Sequence, residues 1–266
     1  MGLVPGRWSP GFIIKLIERQ LIKFGLITPG GGGSSTPILD AAEDHRLASW
    51  KMNDNDLSNG QEILDSKSGL NLTIDGTTFS KLSPGKNGDA ITRGSGQNDD
   101  FKRATGLEPG TNDFSLIFWI KTTTAITVDR NLFTIGADHF IQFITGNKLR
   151  FIVLGADPVF KESIALPATV SDGSWHQFFV GRRTESGQTT YFMAMDGQEV
   201  YSAVDSNGNV NISGTFAIGD NAGGSNGLPN ADMDQHDYYR GAPESGAGLA
   251  SGAYAEAWAN GDGVFK

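Results

Sequence analysis

Cysteine is absent from the 266 residues, which excludes a disulfide framework and a thiol nucleophile. No run of about 18 uncharged apolar residues occurs, so no membrane-crossing helix is expected. Positive charge is scarce: 21 Lys and Arg face 30 Asp and Glu, a formal net charge of −9. Nucleic acid is a poor partner for such a chain, because phosphate contacts need clustered cations. Histidine occurs only at His45, His139, His176 and His236, never in the His-x-x-x-His spacing of zinc proteases. No serine occupies a Gly-x-Ser-x-Gly elbow between a strand and a helix. Glycine, by contrast, is plentiful at 36 residues, as a fold with many tight turns requires.

One segment has a helical period. Ser9 stands as an N-cap, Pro10 as a first helical residue and Gly25 past the last turn. Between them Ile13, Leu16, Ile17, Leu21 and Phe24 form one apolar stripe, with Lys15, Glu18, Arg19 and Lys23 on the other faces. The charges exclude a signal-peptide h-region. A Gly/Ser stretch bounded by Pro29 and Pro37 follows, with the composition of a flexible tether. Residues 1–29 therefore read as an arm whose stripe anchors it to a partner protein, residues 30–37 as a linker and residues 38–266 as the main domain.

From Ile38 onward the pattern is strand and turn. Asp113 to Lys121 is apolar on both faces, as in a strand covered on both sides. Phe140 to Leu154 reads as a hairpin turning at Gly146-Asn147, and Tyr191 to Val200 as another turning at Asp196-Gly197. Trp175–Arg183, Thr215–Ile218 and Asp232–Tyr239 add further strands. A series of at least seven strands without βαβ alternation means an all-β sandwich or barrel.

The order of short motifs sharpens this. Leu47–Trp50 with Asp65-Ser66-Lys67-Ser68-Gly69, then Asp172-Gly173-Ser174-Trp175-His176, then Tyr191 through Asp196-Gly197, resemble the opening strand, the Trp-His strand and the Asp-Gly hairpin of laminin G-like domains. Phe216–Gly219, Met233–Tyr239 and Ala257–Gly261 resemble that family's later strands. His236 departs from the pattern, standing where the family has an apolar residue. The resemblance implies an antiparallel two-sheet β-sandwich, a laminin G / concanavalin A-like jelly roll, carrying an N-terminal helical arm. It also implies a calcium site of weak affinity. Its donors would be the Asp138 carboxylate, the Leu154 and Asn209 carbonyls and the Asn211 side chain, all hard oxygens.

Two constellations invite catalysis. His176 lies near Asp172, but no nucleophile accompanies it, and in the resembled family the Trp-His pair is structural. Asp232-x-Asp234-x-x-Asp237 has the spacing of the concanavalin-like glucanases, where an acid and a nucleophile lie about 5–5.5 Å apart. Alternation puts Asp232 and Asp234 on one face and Asp237 on the other unless a bulge intervenes. No catalytic residue is expected.

The resemblance, the arm and the lack of an export signal lead to a functional expectation. The chain should be a non-enzymatic virion protein, a decoration, head-fibre or tail-attached component of a phage, assembled in the host cytoplasm and displayed in multiple copies at the virion surface. The arm would hold other virion proteins and the sandwich would contact host glycans, with no membrane partner. A carbohydrate-binding lectin is the alternative, and a glycoside hydrolase a further one.

Overall fold

The computed structural model describes residues 45–96, 99–136, 139–153, 159–205, 210–219 and 226–241. The arm, with Ile13, Leu16, Ile17, Leu21 and Phe24, and the motif at Ala257–Gly261 lie outside them. Among the described residues there are sixteen strands. The first six are short: β1 (Arg46–Trp50), β2 (Glu62–Ile63), β3 (Leu72–Asp75), β4 (Phe79–Leu82), β5 (Ala90–Arg93) and β6 (Asp100–Arg103). Then come β7 (Asp113–Thr122), β8 (Arg130–Ile135), β9 (His139–Ile144), β10 (Lys148–Val153) and β11 (Val159–Glu162). The last five are β12 (Trp175–Glu185), β13 (Gln188–Met195), β14 (Gln198–Asp205), β15 (Phe216–Gly219) and β16 (Ala231–Gly241).

They form two antiparallel sheets. The first runs β14-β13-β12-β7-β16-β5-β4, with β1 also paired to β16; the second runs β11-β10-β9-β8-β15-β6-β3-β2. Alternation decides what lies between them. Phe114, Leu116, Phe118 and Ile120 of β7 point inward with Phe178 and Val180 of β12, and meet Phe133, Phe143, Phe151 and Phe216 of the second sheet. Ring pairs bridge the layers, Phe118 to Phe133 at 4.6 Å and Phe143 to Phe178 at 5.1 Å between centroids. Each such side chain contributes roughly 1.5–3 kcal/mol by leaving water.

Local chemistry sets the turns. Asp196-Gly197 makes the two-residue hairpin with φ of 50° and 75°, and Ser186-Gly187 makes a second of the same kind between β12 and β13. The β9–β10 hairpin turns over three residues, 145–147, not two, because Lys148 pairs with Ile144; Gly146 and Asn147 take the positive φ values, 84° and 54°. Asp65 gathers the opening turn, accepting the backbone N–H groups of Ser49, Lys67, Ser68 and Leu70 at 2.8–2.9 Å. Trp50 Nε1 donates to the Leu70 carbonyl at 3.0 Å, so the strand and its turn are joined twice.

Polar side chains are buried too, Arg182, Arg93 and His236 among them. Arg182 is fully buried, with Phe114 beneath its guanidinium at 5.5 Å, and donates to the carbonyls of Gly110, Asn112 and Val210, tying two loops to β12. Arg93 is held by the Gly96 and Leu228 carbonyls. His236 replaces the family's apolar residue and behaves as one. Its ring lies 5.7 Å from Phe118 and 5.5 Å from Phe133, and neither ring nitrogen has a hydrogen-bond partner among the described residues. Burial alone pushes its pKa down to about 3, so it is a neutral core side chain at physiological pH.

Candidate functional site

Strand β16 carries the carboxylates, and its register decides their geometry. Met233, His236 and Tyr238 belong to the inner face. Pairing with β7 runs Asp234↔Trp119 and then His236↔Phe118, so Gln235 is an inserted residue, with φ of 32°. This is a β-bulge. It overturns strict alternation and returns Asp237 to the outer face with Asp232 and Asp234.

The three acids have different surroundings. Asp232 is held by its neighbours: Lys121 Nζ lies 3.0 Å from Oδ2, and Thr92 Oγ1 donates to Oδ1 at 2.6 Å. Asp237 accepts from Gln235 Nε2 at 3.2 Å, with Arg46 Nη1 at 3.9 Å. Asp234 Oδ2 accepts the Asn87 N–H at 2.6 Å, whereas Oδ1 has no hydrogen-bond partner among the described residues. Burial raises the Asp234 pKa to about 6, against the backbone N–H groups of Asn87, Lys86 and Gln235 that lower it. A carboxyl with a raised pKa, beside a second carboxylate on the same face, has the character hydrolysis asks of a general acid.

Access is missing. Asp234 and Asp237 are 0% and 1% exposed. The segment between β4 and β5 is fastened over Asp234: besides the Asn87 N–H, Asn87 Nδ2 donates to Gln235 Oε1 at 3.0 Å, and Lys86 Nζ sits 4.6 Å above the Trp119 ring. Ile117, Trp119 and Phe179 on the same outer face are also buried. A polymer chain cannot reach these carboxylates without displacing that segment.

His176 resolves as a staple between turns. Its Nδ1 lies 2.6 Å from Asp196 Oδ2 and its Nε2 3.2 Å from Asp172 Oδ1. Burial pulls its pKa down, but the two carboxylates outweigh it and hold the pKa above the ordinary value. Asp196 Oδ1 also accepts the Gln177 N–H at 2.9 Å, so the Asp-Gly hairpin is locked to the Trp-His strand. The string Gly223-Gly224-Ser225-Asn226-Gly227 precedes β16 in sequence, and no helix follows it, so it is no nucleophile elbow.

Of the calcium donors, Asp138, Leu154 and Asn209 lie outside the described residues. Asp138 directly precedes β9 and Leu154 directly follows β10, and the adjoining strand ends pair, His139↔Val153. Asn211 is exposed, in a segment bridged to the 110 loop through Gly110↔Ile212. Among the described residues no group of three or more His, Cys, Asp or Glu side chains could hold a metal ion.

The fold is thus that of a lectin-like jelly roll. A family model described as the concanavalin A-like lectin/glucanases superfamily matches residues 93–245, and the chain belongs to this family. No curated protein matches the sequence. Solved structures share the fold. The binding domain of paraclostridial mosquitocidal protein 1 aligns with a TM-score of 0.62 at 13% identity, over 82% of this chain and 52% of that one. Domain 4 of AbnA, a GH43 extracellular arabinanase from Geobacillus stearothermophilus solved with arabinotriose, aligns at 0.56 and 18% identity, over 79% and 97%. The receptor binding domain of botulinum neurotoxin type G aligns at 0.55 and 13%, over 81% and 51%. The chain spans about half the length of these toxin domains.

Proposed function

We propose that this chain is a non-enzymatic recognition module: a lectin-like sandwich that contacts surface glycans, carried on an N-terminal arm that anchors it in a larger particle. The observation that carries the reading is the closure of the carboxylate face. Asp234, whose raised pKa suits a general acid, lies beneath a fastened segment, which favours display and binding over hydrolysis. Similarity to binding domains, one of them solved with arabinotriose, supports a glycan ligand. The apolar stripe Ile13, Leu16, Ile17, Leu21 and Phe24 supports anchoring, and a virion is the particle we propose. Leu16→Asp with Phe24→Asp should abolish incorporation into that particle while the sandwich stays folded; normal incorporation would remove the anchoring role.

A glycoside hydrolase is the second reading, favoured by the bulge that aligns Asp232, Asp234 and Asp237. Incubation with β-glucans, bacterial surface polysaccharide and peptidoglycan decides it. New reducing ends that vanish in Asp234→Asn would establish the hydrolase and end the non-enzymatic reading. Weak calcium binding through Asp138, Asn211 and the Leu154 and Asn209 carbonyls is part of the proposal. Millimolar calcium should raise the melting temperature, and Asp138→Ala should remove that response.

A further inference from the structure

The outer face of the second sheet holds a cavity of about 480 Å³. That volume falls within the roughly 300–1,000 Å³ of small-ligand sites. It opens over β2, β3 and β6, where Glu62 pairs with Thr73 and Thr73 with Lys102. Neighbouring strands lie about 4.8 Å apart, so these three polar side chains make a transverse row.

Arg103 stands beside Lys102 at one end of that row. Its Nε donates to the Thr105 carbonyl and its Nη1 to the Asn71 carbonyl, each at 2.9 Å, which fixes the guanidinium plane. Among the described residues these two neutral acceptors use two of its five N–H donors and leave its charge uncompensated. Lys102 is paired with Asp75. The acid in the lining, Glu62, is two strands from Lys102 and is engaged by Asn71 Nδ2 at 2.9 Å. Lys102 is also acted on by Asp100, so among the described residues Arg103 is the cation of this lining left to a ligand. Thr73, Thr105 and Thr215 add hydroxyls to the wall.

Among the described residues no aromatic side chain lines the cavity. A neutral sugar would have only hydroxyl contacts there, each exchanged against water for little net gain. Hydrogen bonds to a charged group are roughly twice as strong as neutral ones, and a guanidinium fork matches a carboxylate. We propose that this cavity binds a saccharide bearing a carboxylate, the anion on Arg103 and the ring hydroxyls on the threonines, Lys102 and Glu62. The proposal rests on the glycan-binding reading and assigns it a place and a sugar class.

The test titrates the full chain, labelled with nitrogen-15, with digalacturonate, with the neutral disaccharide galactobiose, and with sodium sulfate. Digalacturonate should shift amides at 71–73 and 102–105, and bind about tenfold more tightly than galactobiose. Lys102→Gln and Arg103→Lys should each weaken it severalfold at a temperature where melting curves show both variants folded. If Arg103→Lys unfolds, Lys102→Gln with Thr215→Val decides instead. Equal binding of galactobiose, an equal response to sulfate alone, or shifts confined to other residues would overturn the assignment. Failure of the underlying reading looks different. Glycan-array binding that survives these substitutions removes this cavity only, whereas a protein that binds no glycan at all removes both.

Discussion

Protonation of His236 should limit the acid stability of the sandwich. In the unfolded chain this imidazole titrates near 6.5, whereas in the fold burial pushes it to about 3. Between those values the unfolded state binds more protons, so stability must fall as pH falls from 6.5 toward 3. The loss should be about 2 kcal/mol at pH 5, about 3 at pH 4, and approach about 5 below pH 3. Among the described residues no carboxylate meets the charge: the ring packs on Phe118 and Phe133, and the small cavity beside it is lined by another cation, Arg93. Losses of this size consume much of a typical domain stability of roughly 5–15 kcal/mol. Urea denaturation of wild type and His236→Leu at pH 7.5, 6, 5 and 4 measures the effect. The leucine side chain cannot titrate, so the variant should gain relative stability as pH falls, by the amounts given. A difference between the two proteins that stays constant from pH 7.5 to 4 would refute the reasoning.

Other titrations carry other signs. His176 is raised by Asp196 and Asp172 against its burial, so its ion pairs contribute fully below pH 6.5 and are lost as pH rises through the folded value. The destabilisation caused by His176→Asn should shrink between pH 6 and 8.5 in thermal melts, and a cost that grows over that range would contradict the staple. Burial tends to raise the Asp65 pKa, but its four backbone donors hold it below the ordinary value. Its contribution is therefore present above the unfolded pKa and lost as pH falls through the folded one. Asp65→Ala should cost about 2–4 kcal/mol at pH 7 by urea denaturation, given several hydrogen bonds to a charged acceptor; a change under about 0.5 kcal/mol would show that the turn closes without it.

The long strands were legible because their period is local. Phe114, Leu116, Phe118 and Ile120 announce β7 without reference to anything distant, and Asp196-Gly197 announces its hairpin for the same reason. The stretch from Glu62 to Arg103 was not legible. Its five strands are two to four residues long, too short for alternation to register, and they exist because partners elsewhere in the chain hold them. The bulge at Gln235 carries no glycine, so nothing in the sequence marks the positive φ that swings Asp237 to the outer face. The closure over Asp234 depends on Asn87, 147 residues away. Residues that line the 480 Å³ cavity are scattered from Glu62 to Thr215, and no motif links them. His236 was legible as an exception, and the structure gives its reason: between two phenylalanine rings an unprotonated imidazole is a flat apolar filler.

Strand β16 follows the other fifteen in sequence yet occupies the middle of its sheet, between β7 and β5, with β1 also against it. A chain emerging from the ribosome therefore builds the outer parts of that sheet first and its centre last. Until residue 241 has been synthesised, β7 and β5 each present a long or apolar edge with unpaired N–H and C=O groups, which is the template on which chains associate wrongly. Fragments that stop before residue 231 should for this reason aggregate and not fold partially. The step that completes the sheet is a zippering of one strand into a ready gap, across sequence separations of more than a hundred residues, and such distant pairing makes for slow folding.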